Sequence, residues 1–62
     1  MKTLDYHNNQ TKAIALYEFG ENEFEVLLWD YAVQAGWADV AKFTDRAEAI
    51  DFFAAVKRNE FR

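Results

Sequence analysis

Two glycines and no proline punctuate this chain, so Gly20 and Gly36 are where the backbone turns most easily, and the stretches around them favour regular structure. Apolar runs flank Gly20 at residues 13–19 and 24–33, which reads as a hairpin. With Glu21-Asn22 as a two-residue loop, Phe19 pairs with Phe24, Tyr17 with Val26 and Ala15 with Leu28 on one side of the sheet. Glu18 with Glu25, Leu16 with Leu27 and Ile14 with Trp29 pair on the other. A slip of one residue exchanges the two faces, so this register carries the assignment of the core.

Gln34-Ala35-Gly36 suits a three-residue loop with glycine in the left-handed position, returning the chain through residues 37–43 as a further strand. Ala32, Ala35, Ala38 and Ala41 favour a competing helix over 30–42, but Gly36 and its aromatic and β-branched neighbours favour the strand. From Thr44 the apolar period changes from two to 3.6. Thr44 is an N-cap residue, and Asp45 with Glu48 forms a capping box if the helix starts one residue later. Ala47, Ile50, Phe53, Ala54 and Phe61 then share one face, with Ala49 and Val56 at its margin, while Lys57, Arg58 and Arg62 complement the C-terminal end of the dipole. Residues 2–7 read as an edge strand and 7–11 as a turn.

These elements form a single small α+β domain over residues 1–62: an antiparallel three- or four-stranded meander sheet with one C-terminal helix packed on one face. A chain of 62 residues without cysteine must be stabilised by its core alone, and 52% hydrophobic with 18% aromatic residues supplies one. In the proposed register the helix covers Ile14, Leu16, Leu27, Trp29, Tyr31, Val33, Ala41 and Phe43. The opposite face shows Ala15, Tyr17, Phe19, Phe24, Val26, Leu28 and Val40, more apolar surface than monomers usually leave to water. Leu4 and Tyr6 of the N-terminal segment folding across it is one way to cover that face. Homodimerisation through Tyr17, Phe19, Phe24 and Val26 is another.

The hairpin tip carries Glu18, Glu21, Glu23 and Glu25, four carboxylates within eight residues and no cation between them. Like charges across a strand pair repel, so a basic partner docked against them relieves a cost the fold otherwise bears. Glu48 and Asp51 add two carboxylates on the helix, and Phe52, away from Ile50 and Phe53 on the helical wheel, is an exposed anchor beside them. A net charge of −4 argues against direct binding to nucleic acid or anionic membranes. No apolar run approaches a membrane span and the first eleven residues lack an apolar leader, so a cytoplasmic location is expected.

Catalysis is not expected. The chain holds no serine or cysteine nucleophile, and its three threonines have no evident base beside them. His7 is the only histidine, no zinc or calcium spacing occurs, and Glu21-Asn22-Glu23 is better explained as a solvated turn than as a cation site. No glycine-rich phosphate loop is present, so no cofactor is expected. Trp29 and Trp37 lack the surrounding cations of base-stacking platforms and read as core.

The layout Ile14-Ala15-Leu16-Tyr17-Glu18, an acidic turn, further strands, then Phe43-Thr44-Asp45-Arg46-Ala47-Glu48-Ala49-Ile50-Asp51-Phe52-Phe53 resembles small phage-encoded anti-defence inhibitors, loosely the type I anti-CRISPR proteins. That resemblance implies a non-catalytic inhibitor acting in a host bacterial cytoplasm. It would block a nucleic-acid-binding partner, such as a CRISPR surveillance complex, by steric occupation or phosphate-like charge mimicry. The alternative from another class is a structural or adaptor module that homodimerises through its apolar sheet face.

Overall fold

The computed structural model describes residues 1–32 and 37–61, with 37–40 described by backbone alone. Four strands, β1 (Lys2–Asn8), β2 (Lys12–Gly20), β3 (Glu23–Asp30) and β4 (Trp37–Phe43), precede one helix, α1 (Arg46–Glu60). The strands lie in the order β1-β2-β3-β4 and every pair is antiparallel, so the sheet is an open meander. The α+β arrangement expected from the change of period is the one formed, with four strands rather than three. The return strand at 37–43 forms as expected; the loop at 34–36 lies outside the described residues.

Local chemistry sets the turns. At the first, the Asn9 carbonyl oxygen Oδ1 accepts from the backbone N–H of Thr11 and of Lys12, each at 2.8 Å, and from the Thr11 hydroxyl at 3.0 Å. One short side chain therefore satisfies the amides that the turn frees from the ladder. At the second, Glu21 and Asn22 form the loop and Asn22 sits at φ 59°, a left-handed conformation that asparagine tolerates better than most residues.

The register of that hairpin differs from the expected one. Gly20 pairs with Glu23 and Glu18 with Phe24, with a bulge between Glu18 and Gly20 that leaves Phe19 as the extra residue. The two-residue loop is as read from sequence, but the bulge moves β3 by one position relative to β2, which exchanges its faces. Ile14 and Leu16 therefore share a face with Leu28 and Val26, not with Trp29 and Leu27. Phe24 and Val26, expected on the uncovered face as part of a dimer surface, are instead buried at 5% and 3% exposure beneath the helix.

The core is a single cluster of Ile14, Leu16, Phe24, Val26, Ala49 and Phe53, with Leu4, Leu28, Phe43, Phe52, Val56 and Phe61 packed around it. The helix lies across β2, β3 and β4. Asp45 caps it: its carboxylate accepts from the N–H of Ala47 at 3.0 Å and its carbonyl from Ala49 at 3.1 Å. A cap of this kind contributes about 1 kcal/mol. The buried stripe is Ala49, Phe52, Phe53 and Val56, and Ile50 is 45% exposed with Ala47 and Ala54 also in solvent. Both this stripe and the expected one satisfy the helical period and share Phe53. The stripe with two phenylalanines and a valine removes more apolar area from water, and Ala49 at its centre lets the helix approach the sheet closely.

Strand β1 forms the edge beside β2 rather than folding across the uncovered face. A bulge between Thr3 and Asp5 lets Leu4 pack with the core on the helix side. The N–H of Tyr6 donates to its neighbour Asp5 at 2.8 Å, so that amide is satisfied within the strand and the edge is less open to further pairing.

Candidate functional site

Antiparallel pairing gathers six of the eleven acidic residues, Glu18, Glu21, Glu23, Glu25, Asp45 and Glu48, at one end of the domain. The β2–β3 turn, the start of β1 and the end of β4 meet there, since Lys2 pairs with Glu18 and Phe24 with Phe43. The start of the helix follows two residues after Phe43, so Asp45 and Glu48 join the same end. Alternation along the strands places Glu23 and Glu25 on the uncovered face and Glu18 on the helix side, with Glu21 in the turn. The four carboxylates thus surround the tip instead of forming one row.

Among the described residues no hydrogen bond or ion pair engages Glu18, Glu21, Glu23 or Glu25, although Lys2 and Lys42 stand at positions paired with Glu18 and Glu25. A cleft of ≈ 320 Å³ opens at this end between residues 22–25 and 42–44, walled by Phe24 and Phe43 and bordered by Glu23, Glu25 and Lys42. Glu48 and Asp51 are exposed on the helix. Phe52, expected as a free anchor, is half-buried with its ring 5.1 Å from that of Phe43. Its place beside the acids belongs to the fold, because the helix turns toward the sheet by the stripe that contains it.

The opposite end carries the one ion pair among the described residues. Lys12 Nζ lies 2.7 Å from Glu60 Oε2, tying the start of β2 to the last turn of the helix, where Lys57 and Arg58 also stand. The rings of His7 and Phe61 meet edge to face at 4.9 Å at that end. The hydrogen bond to Glu60, partly offset by loss of hydration and reinforced by the charges of Glu60 and then Asp30, holds the Lys12 ammonium above its ordinary pKa. Tyr31 is also raised, first by loss of hydration around its hydroxyl and then by the neighbouring Tyr6.

A group whose folded pKa exceeds its unfolded value contributes stability that is complete below the unfolded pKa and disappears as pH rises through the folded one. Both Lys12 and Tyr31 titrate from ordinary values of 10.5 and 10.0, so the protein is expected to lose stability as pH climbs above about 10. Melting temperatures followed upward from about pH 9 check this. The decline should be shallower in a Lys12→Met, Tyr31→Phe double variant, and an equally steep decline there would assign the loss to other groups.

Three aromatic residues that the sequence reading did not group as a surface stand on the uncovered face. Tyr6 pairs with Ala15 and Trp29 with Ala13, and Tyr31 continues β3 with its N–H donating to the Thr11 carbonyl at 2.9 Å. The alternation of Leu4, Tyr6 and Asn8 was the available signal for Tyr6, whereas Trp29 changed sides only through the bulge at Phe19. Among the described residues no group of three or more His, Asp or Glu is placed to hold a metal ion, and no helix is long and apolar enough to cross a membrane. Comparison with known protein families, with characterised proteins and with solved structures returns no match.

Proposed function

We propose that this chain is a non-catalytic binding protein that docks its acidic end on the cationic surface of a nucleic-acid-binding protein or complex and keeps nucleic acid from that surface. The observation that carries this reading is the uncompensated state of Glu18, Glu21, Glu23 and Glu25, which no described cation pairs. Solvated carboxylates around one tip offer a basic groove the charge that phosphates otherwise supply. Glu48 and Asp51 extend the negative surface along the helix. A CRISPR surveillance complex, the partner implied by the resemblance of this layout to small anti-defence inhibitors, is a partner of this kind.

The test is a capture experiment from host lysate at low and high salt. Wild-type protein should retain a nucleic-acid-binding protein that added DNA or RNA displaces and that high salt releases, since exposed charges are screened within about 10 Å at 0.1 M salt. Replacing all four glutamates by glutamine should weaken that association about thirty-fold, four exposed charges each contributing roughly half a kcal/mol. The same variant should keep the wild-type circular dichroism. Capture that survives the glutamine changes, or that nucleic acid does not displace, would rule the reading out.

A further inference from the structure

The helix covers one face of the sheet and nothing described covers the other. On that uncovered face Ala13 and Ala15 are 2% and 0% exposed, and Leu27 is almost as buried. Tyr6 pairs with Ala15 and Trp29 with Ala13, while Tyr17 and Phe19 continue β2 on this face toward its acidic end; Tyr6 is 49% and Phe19 44% exposed. The rings of Tyr17 and Phe19 meet edge to face at 6.1 Å, and the Tyr6 hydroxyl accepts from Asn8 Nδ2 at 3.2 Å. These rings are held in place before anything binds, which lowers the entropy lost on docking. Glu23 and Glu25 stand on the same face at its acidic end.

The charge on this face selects its occupant. A second copy would bring together two chains of net charge −4 through faces on which Lys42 is the one cation among the described side chains. Nucleic acid would meet the same carboxylates. A cationic protein surface meets neither obstacle, and arginine suits it better than lysine, because the planar guanidinium stacks on an aromatic ring while forking to a carboxylate. We propose that the uncovered face is where the partner sits, with arginine side chains stacked on Tyr17, Phe19 and Tyr6 and their guanidinium groups directed toward Glu23 and Glu25. This rests on the reading of the acidic end as a docking site for a basic partner and adds which face the partner covers and which side chain it inserts.

The test uses the full chain with two probes, a short oligo-arginine peptide and an oligo-lysine peptide of the same length, titrated at low salt by calorimetry and by amide chemical shifts. The arginine peptide is expected to bind about fivefold more tightly. It should shift the amides of Ala13, Ala15 and Leu27 while leaving Ala49 unchanged. Phe19→Ala and, independently, Tyr6→Ser should each weaken the arginine peptide about threefold or more and the lysine peptide by clearly less. Equal affinities that neither variant alters would overturn the stacking proposal while leaving the acidic-end reading intact. Absence of binding by either peptide would defeat both. A dimer seen by sedimentation and abolished by Phe19→Ala would assign the face to a second copy and overturn the proposal as well.

Discussion

Val26→Asp is expected to leave the chain unfolded at room temperature, whereas Tyr17→Asp keeps it folded. Val26 is 3% exposed, pairs with Leu16, and belongs to the cluster beneath the helix. An aspartate there enters a site whose lining is aliphatic and aromatic, with no described cation or donor to meet it. A buried, unpaired carboxylate costs more than about 4 kcal/mol, and a core of this size rarely supplies more than about 3–5 kcal/mol in total. Tyr17 is half-buried on the uncovered face, where an aspartate remains hydrated and the change costs on the order of 1 kcal/mol. Circular dichroism and amide shift dispersion of both variants check this. The converse result, with Tyr17→Asp unfolded and Val26→Asp intact, would place β3 one residue away from the register described.

The helix offers the second large effect. Phe53→Ala is expected to cost about 3–5 kcal/mol, the range for truncating a buried phenylalanine, and so to remove most or all of the protein's stability. Phe53 is 4% exposed and packs with Ile14, Leu16, Phe24 and Val26. Ile50→Ala, three residues away on the expected face, should change stability by no more than about 0.5 kcal/mol, because Ile50 is 45% exposed and alanine is the better helix former. Urea denaturation of the two variants distinguishes the observed stripe from the expected one. Comparable losses in both would mean that the helix buries its Ile50 face.

The acidic tip was legible because it is a property of consecutive residues: Glu18, Glu21, Glu23 and Glu25 flank a loop that Gly20 and Asn22 mark. Antiparallel pairing keeps such a turn at one end of the sheet whatever the register. The role of Phe52 was not legible. A helical wheel assigns angles but not which angle faces the sheet, and with Ala49 and Val56 treated as marginal the wheel gave Ile50 a place that Phe52 occupies. Tyr6 and Trp29 were missed as surface residues for a related reason. Their neighbours across the sheet depend on bulges at Leu4 and Phe19 and on a third register shift between Leu28 and Trp29, and neither Leu4 nor Phe19 is a residue type that announces one.

Short-range chemistry was enough to order the elements. The glycine before the β2–β3 turn, an asparagine turn, the aspartate cap and the shift from period two to period 3.6 each act within a few residues, so the chain carries them wherever it folds. The faces were settled otherwise. Inserting Phe19 as an extra residue trades one ladder position for burial of Phe24 and Val26 beneath Phe53, a gain that exists only once strand and helix are packed together. Contacts between distant segments, compared by the apolar area they remove from water, chose which side of each strand became core and which was left uncovered.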